Sequence, residues 1–233
     1  MKHLRLISNS TCWGHGYLEH CESALEEVFD GGQRILFIPF ALADRDGYED
    51  KARERFAEFG FELESLHRAA DPVAAVERAE GIFVGGGNTF RLLKSLYSRG
   101  VLDPIRRRVA AGMPYASTSA GSNVACVSIR TTNDMPIVEP ESFEALGLVP
   151  FNINPHYLDP DPDSRHQGET REERIREFHE ENEPWVVGLR EGAWLKVEGE
   201  SVTLEGVIGA RLFGRGREPR ELEVGESLDF LLD

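Results

Sequence analysis

The sequence predicts an α/β fold, a mostly parallel sheet with helices on both faces, with antiparallel hairpins added toward the C-terminal end. Three observations carry that expectation. Apolar strand-like runs alternate with helical stretches through the first half of the chain, the rhythm of βαβ units. Two turns of small residues, Gly85-Gly86-Gly87 and Ser119-Ala120-Gly121, stand where a strand gives way to a helix. After residue 136 the rhythm changes to closely spaced strand signals separated by glycine-containing turns.

The elements follow in order. Leu4 to Ile7 reads as a short strand, and Leu18, Cys21, Leu25 and Val28 recur at helical spacing in a polar stretch. Residues 34–40 (RILFIPF) form a continuous apolar run, as expected of a strand covered on both faces. Residues 48–59 read as a charged surface helix and 61–66 as another strand. A short helix opens at Asp71-Pro72, where Asp is a good N-cap and Pro suits the first helical position. Strands at 81–85 and 114–118, with a helix at 89–98 between them, complete the first half. A helix at 171–181 precedes the segments WVVGLR, AWLKV, SVTLEGV, ARLFG and ELEV, each strand-like. No repeat or linker interrupts residues 1–233, so one domain is expected.

Composition narrows the function. The chain is 40% hydrophobic and 29% charged, enough to bury a core and stay in solution. With 26 Lys+Arg against 41 Asp+Glu the formal charge is −15, which repels nucleic-acid phosphates and anionic membranes, so neither is expected as a partner. No stretch approaches the roughly 18 apolar residues of a membrane helix, and MKHLRLISNS lacks the pattern of a signal peptide. Cys12, Cys21 and Cys126 are odd in number and widely spaced, which suits a reducing cytoplasm. No His/Cys/Asp cluster has metal-ligand spacing, so neither metal nor cofactor is expected.

Two turns carry the chemistry. Tyr115 to Ser122 (YASTSAGS) is close to the G-x-S-x-G nucleophile elbow, a strand-to-helix turn that lifts one serine hydroxyl above the sheet. Ser119 holds the central position and Gly121 meets the demand for a small neighbour, while Ser117 stands where glycine is usual. The helix that follows points amide N–H groups and a positive dipole end at the same place. The turn Gly85-Gly86-Gly87-Asn88-Thr89 exposes backbone N–H groups that suit an oxyanion or a phosphate. It is neither a dinucleotide fingerprint nor a Walker loop. Both turns fall at strand C-terminal ends, where open α/β sheets place their sites.

A serine nucleophile needs a base, and His156 in Asn154-Pro155-His156-Tyr157 is the best candidate, with its backbone fixed by the preceding proline. His166 is a minor rival, and His3, His15, His20, His67 and His179 fall on or near elements read as surface. The base in turn needs an acid to fix its tautomer. Asp134, in a polar loop past the elbow helix, and Glu191, in a turn between strands, both qualify, and spacing leaves the choice open.

The segments SNST (8–11), IPFA (38–41), VGGGNTFRLLK (84–94), SAG (119–121), IRTTNDMPIV (129–138), INPHY (153–157), GETREERI (168–175) and GLREGAW (188–194) run in order across nearly the whole chain. Together they resemble the peptidase E family of aspartyl dipeptidases, related to cyanophycinase. That resemblance implies a class I glutamine-amidotransferase-like α/β fold and a serine peptidase acting on short peptides with a free N-terminal aspartate. It implies Ser119 as nucleophile, His156 as base, and Asp134 or Glu191 as the third member. Gly87 and Ala120 match the backbone donors of the oxyanion hole. Arg171 matches the position proposed to grip the aspartyl carboxylate, a bidentate task for a guanidinium, and Asn88 and Thr89 add polar contacts to the substrate. Such a local cation reconciles an acidic substrate with an acidic protein. Three rivals stand beside this reading: a peptidase for β-aspartyl or cyanophycin-like substrates, a binding domain that uses GGGNT to hold an anion, and an amidotransferase built on Cys126.

Overall fold

Short strands pair side by side in the computed structural model, which describes residues 1–30, 34–161, 163, 165 and 168–233. Strands β1 (His3–Ile7), β2 (Arg34–Ile38), β3 (Glu62–Ser65), β4 (Gly81–Val84) and β5 (Tyr115–Thr118) are mutually parallel, in the order β3-β2-β4-β5-β1. The crossovers are α1 (Glu22–Val28), α2 (Arg45–Glu58), α3 (Pro72–Arg78), α4 (Thr89–Ser98) and α5 (Leu102–Ala110). Helix α6 (Ala120–Ala125) follows β5 directly.

Strand alternation sorts the helices between the two faces. Leu36, Ile38, Ile82 and Val84 pack in one cluster with residues of α3, α4, α5 and α6. Ile35, Phe37, Phe83 and Ala116 point the other way, into a cluster with residues of α1 and α2. Register brings Ile7 opposite Thr118 and Val84 opposite Ser117, so three strands end together beneath the two small-residue turns.

The C-terminal strands depart in part from expectation. After β6 (Asn152–Pro155), α7 (Arg171–Glu181) and β7 (Val186–Leu189), the strands β8 (Ala193–Glu198) and β9 (Ser201–Gly206) extend the main sheet antiparallel beyond β1, as hairpins at its edge should. Strands β10 (Ala210–Phe213) and β11 (Arg220–Leu222) instead join β7 and β6 in a second sheet, ordered β11-β10-β7-β6. The turn at Arg190–Gly192 is the cause. Gly192 adopts φ 89, and Arg190 binds Asp159 and Glu221, which sends β7 and β8 into different sheets rather than into one hairpin. Neither β6 nor α5 is among the expected elements. Strand β6 is short and ends in a proline. In α5 the apolar Leu102, Ile105 and Val109 are interrupted by three arginines, and Pro104 is tolerated because the first-turn N–H groups need no helical acceptor.

Candidate active site

Strand β5 ends at Thr118, and the next residue, Ser119, has φ 51 and ψ −111. Such a backbone costs a non-glycine residue about 1–3 kcal/mol and persists only where its surroundings enforce it. Here Ser119 N donates to Ile7 O at 3.0 Å and Ser119 O accepts from Asn123 N at 2.9 Å, tying the residue to β1 and to the first turn of α6.

The departure from glycine at position 117 is absorbed by Gly121. A Cβ at Gly121 would lie 3.0 Å from Ser117 Cβ and would collide with the Val84 carbonyl oxygen. Only one of the two flanking positions therefore has to be glycine. The Ser117 hydroxyl lies 3.1 Å from Ser122 Oγ, which donates to Ile7 O at 2.7 Å. Gly121→Ala is expected to destabilise the protein by about 1–3 kcal/mol, because rigid backbone must yield. Urea unfolding of the variant measures that loss.

Beside Ser119 runs the glycine turn after β4. A Cβ on Gly86 would sit 3.1 Å from Ser119 Cβ, and one on Gly87, whose φ is 134, would sit 2.8 Å from Ala41 O. Among the described residues the N–H groups of Gly87 and Ala120 have no protein acceptor. Two donors thus remain free beside one serine hydroxyl.

His156 follows β6 with φ 52. Its N–H donates to Ser8 Oγ at 2.9 Å, and that hydroxyl donates to Leu189 O at 2.7 Å, so the hydroxyl after β1 sets the backbone of the base. His156 Nε2 lies 2.9 Å from Ser119 Oγ, and Nδ1 lies 2.6 Å from Glu191 Oε1. Glu191 stands in the tight turn between β7 and β8. That turn is pinned by Gly192 N donating to Asn9 Oδ1 at 2.8 Å and by the two-pronged Arg190–Asp159 pair at 2.7 and 2.8 Å. The His156 and Glu191 side chains are 41% and 50% exposed, so solvent screens their attraction and it acts mainly on orientation.

Of the two acids left open by spacing, Glu191 meets the imidazole. Asp134 faces the glycine turn: its Oδ2 accepts from Thr89 N and from Thr89 Oγ1, both at 2.7 Å. Its Oδ1 has no hydrogen bond among the described residues, and the residue lines the same cleft as Ser119. Asn88 and Thr89 commit their polar groups inside the protein. Asn88 Oδ1 caps α4 through Arg91 N at 3.0 Å, its Nδ2 donates to Met135 O, and Thr89 is buried.

Arg171 opens α7 behind a capping box made by Thr170 and Glu173. Among the described residues it has no ion-pair partner within 4.0 Å. Its pKa is drawn below the usual range by burial and by Arg174, against the pull of Asp134. It lines a hollow of about 580 Å³ with Asn133, Asp159 and Thr170, separate from the cleft of Ser119. Asn133 borders the hollow of Arg171, and the adjacent Asp134 borders the cleft of Ser119 and a further hollow lined by Arg130 and Arg174.

The cleft encloses about 610 Å³, the size of a small-molecule site. Besides Ser119, His156, Gly86, Gly87 and Asp134 it is lined by Ser10, Tyr17, Leu42, Asp44, Gly47, Tyr48 and Lys51. Ser8 and the Tyr17–Lys51 wall are the parts that sequence reasoning missed. Ser8 had a positional signal, directly after a strand at the site end of the sheet. Lys51, on a helix read as charged surface, had none.

The rival groups lie elsewhere. Cys126 is buried at the end of α6, and burial pushes its thiol far above the usual range, so it is no nucleophile. His179 is buried on α7 rather than solvated, and His166 lies outside the described residues. Asp46, Glu49 and His67 gather closely enough to suggest a metal, but Arg53 and Arg68 already pair with Glu49. Among the described residues no helix is long and apolar enough to cross a membrane.

Comparison with known proteins places the chain in a family. Residues 4–205 match the model of Peptidase family S51. A protein of Streptomyces coelicolor named Peptidase E is 55% identical over 230 residues, covering 99% of this chain and 95% of that one. A Drosophila melanogaster protein named Probable alpha-aspartyl dipeptidase is 50% identical, covering 99% and 98% of the two chains. Among solved structures, a peptidase from an acI-B1 Actinobacterium superposes with a TM-score of 0.72 at 18% identity, covering 97% of this chain and 96% of that one. A putative peptidase E of Listeria monocytogenes gives 0.67 at 22%, covering 89% and 100%. Those two share the fold. The family match over most of the chain and the two full-length relatives together establish that this protein belongs to peptidase family S51.

Proposed function

We infer that the protein is a serine-type dipeptidase that hydrolyses the bond after an N-terminal aspartate, the whole chain acting as one peptidase domain. The observation that carries this reading is the unbroken line from Glu191 through His156 to Ser119 Oγ, beside two free backbone N–H groups. His156 takes the Ser119 proton as Oγ attacks the aspartyl carbonyl carbon. The resulting oxyanion is held by the N–H groups of Gly87 and Ala120. His156 then gives the proton to the departing amine. Water, activated by the same imidazole, releases aspartate from the ester and restores the serine. Glu191 holds the ring with Nδ1 protonated and steadies the imidazolium.

The names of the relatives support aspartate as the residue recognised. Arg171 is close enough to Asp134 to feel its charge, and it has no ion-pair partner among the described residues that a substrate carboxylate would have to displace. Asp134, with Oδ1 to spare, is suited to the substrate's α-ammonium. The three cysteines are free, which fits a reducing cytoplasm.

Hydrolysis of Asp-Leu, Ala-Leu, Glu-Leu and β-Asp-Leu tests the reading. The wild type is expected to prefer Asp-Leu. Arg171→Ala is expected to raise KM for Asp-Leu by about 10- to 100-fold, the value of a charge-assisted contact. Equal cleavage of Ala-Leu, or preference for β-Asp-Leu, would overturn the substrate assignment.

A further inference from the structure

We propose that Lys51 binds the C-terminal carboxylate of the substrate, and is thereby the residue that makes the enzyme a dipeptidase; this rests on the Asp-Xaa reading above. In acyl transfer the leaving residue lies on the side of the base that protonates its nitrogen. Strand order β4-β5-β1 puts the glycine turn on one side of Ser119 and the chain following β1 on the other. His156 is hung from that second side through Ser8. The cleft wall continuing from there contains Ser10 and Tyr17, and Lys51 reaches the Tyr17 ring from α2, the helix that follows β2. Asp134 and α4 belong to the opposite face of the sheet from α2, which carries Lys51.

A dipeptide brings a carboxylate into this second half, and the surroundings are hostile to it. The protein carries −15, and Asp44 and Asp134 line the same cleft. Lys51 is the one lysine or arginine among the described residues that lines it. Of the other cations on α2, Arg53 pairs with Glu49, Arg55 with Glu22 and Glu58, and Arg45 lies over the Phe40 ring. Lys51 has no acidic partner within 4.0 Å among the described residues. Its ammonium instead rests 4.5 Å from the centroid of the Tyr17 ring. That ring meets Tyr48 edge-on at 6.4 Å, and Tyr48 packs under Gly85 at the foot of the oxyanion turn. A flexible ammonium is thus held over the cleft on an aromatic shelf, with its charge available to an incoming anion. A longer peptide or an amide presents no carboxylate at this point.

The wild type, Lys51→Met and Lys51→Arg, each assayed on Asp-Leu and on Asp-Leu amide, provide the test. The wild type is expected to favour the free acid over the amide by about 10-fold or more in kcat/KM. Lys51→Met is expected to abolish that preference through a raised KM for Asp-Leu, with kcat within about twofold and the amide unaffected. Lys51→Arg keeps most of the preference. An Asp-Leu KM unchanged in Lys51→Met, or equal losses on both substrates, overturns the assignment while leaving the peptidase reading intact. Failure of the wild type to cut Asp-Leu overturns that parent reading, and this one with it.

Discussion

Ser119→Ala is expected to lower kcat/KM for Asp-Leu by about 10⁴-fold or more, with binding of the dipeptide retained. The hydroxyl is the one group beside the free N–H pair that lies 2.9 Å from the Nε2 of an oriented imidazole. Its neighbours are differently engaged: Ser117 and Ser122 face each other in the core, and Thr118 is buried. Alanine keeps the Cβ that Gly86 makes room for, so the turn has no packing reason to change. What activity is left must come from the oxyanion donors and from substrate positioning. Stopped assays at high enzyme concentration measure the residue of activity, and calorimetric titration with Asp-Leu measures binding. A fluorophosphonate probe should label the wild type and spare the variant. Activity within about tenfold of wild type would remove Ser119 from the mechanism.

Much of this site was legible in the sequence because its parts are local. The elbow is a contiguous segment, and the clash that demands Gly121 comes from the adjacent strand, so small residues in that order carry their own meaning. The glycine turn is equally contiguous, and Pro155 announces a special backbone before His156. The parallel half of the fold was legible for a similar reason: β2 and β4 read as apolar runs, and Asp71 and Pro72 mark a helix start by local rules. What stayed hidden depends on distances between remote segments. The choice between Asp134 and Glu191 turns on where the β7–β8 turn falls relative to β6, and that follows from the pairing of two sheets. The resemblance implied Asn88 and Thr89 as substrate contacts. Only the fold shows that their polar groups also bond Met135, Arg91 and Asp134. Lys51 is indistinguishable in sequence from any solvated lysine on an acidic helix.

Glu191→Gln is expected to reduce kcat for Asp-Leu by about 100-fold or more with little change in KM, and Asp134→Asn to act chiefly on KM. Glutamine keeps the length of the side chain, but its amide can present a donor to Nδ1. That arrangement favours the tautomer with the proton on Nε2, which cannot accept from Ser119. The exposure of the His156–Glu191 pair argues that the loss comes from tautomer and orientation, because a screened charge contributes little by itself. Asp134 stands differently. Its carboxylate accepts two bonds from Thr89, at the head of the helix that follows the oxyanion turn, its other oxygen has no hydrogen bond among the described residues, and the residue lines the cleft. Removing that charge weakens the hold on a substrate ammonium before it touches proton transfer. The two variants, assayed for kcat and KM separately, therefore distinguish an acid that orients the base from one that receives the substrate. A larger kcat loss in Asp134→Asn than in Glu191→Gln would reverse these roles. It would also require the imidazole to turn away from the partner it has here, since His156 Nδ1 lies 2.6 Å from Glu191.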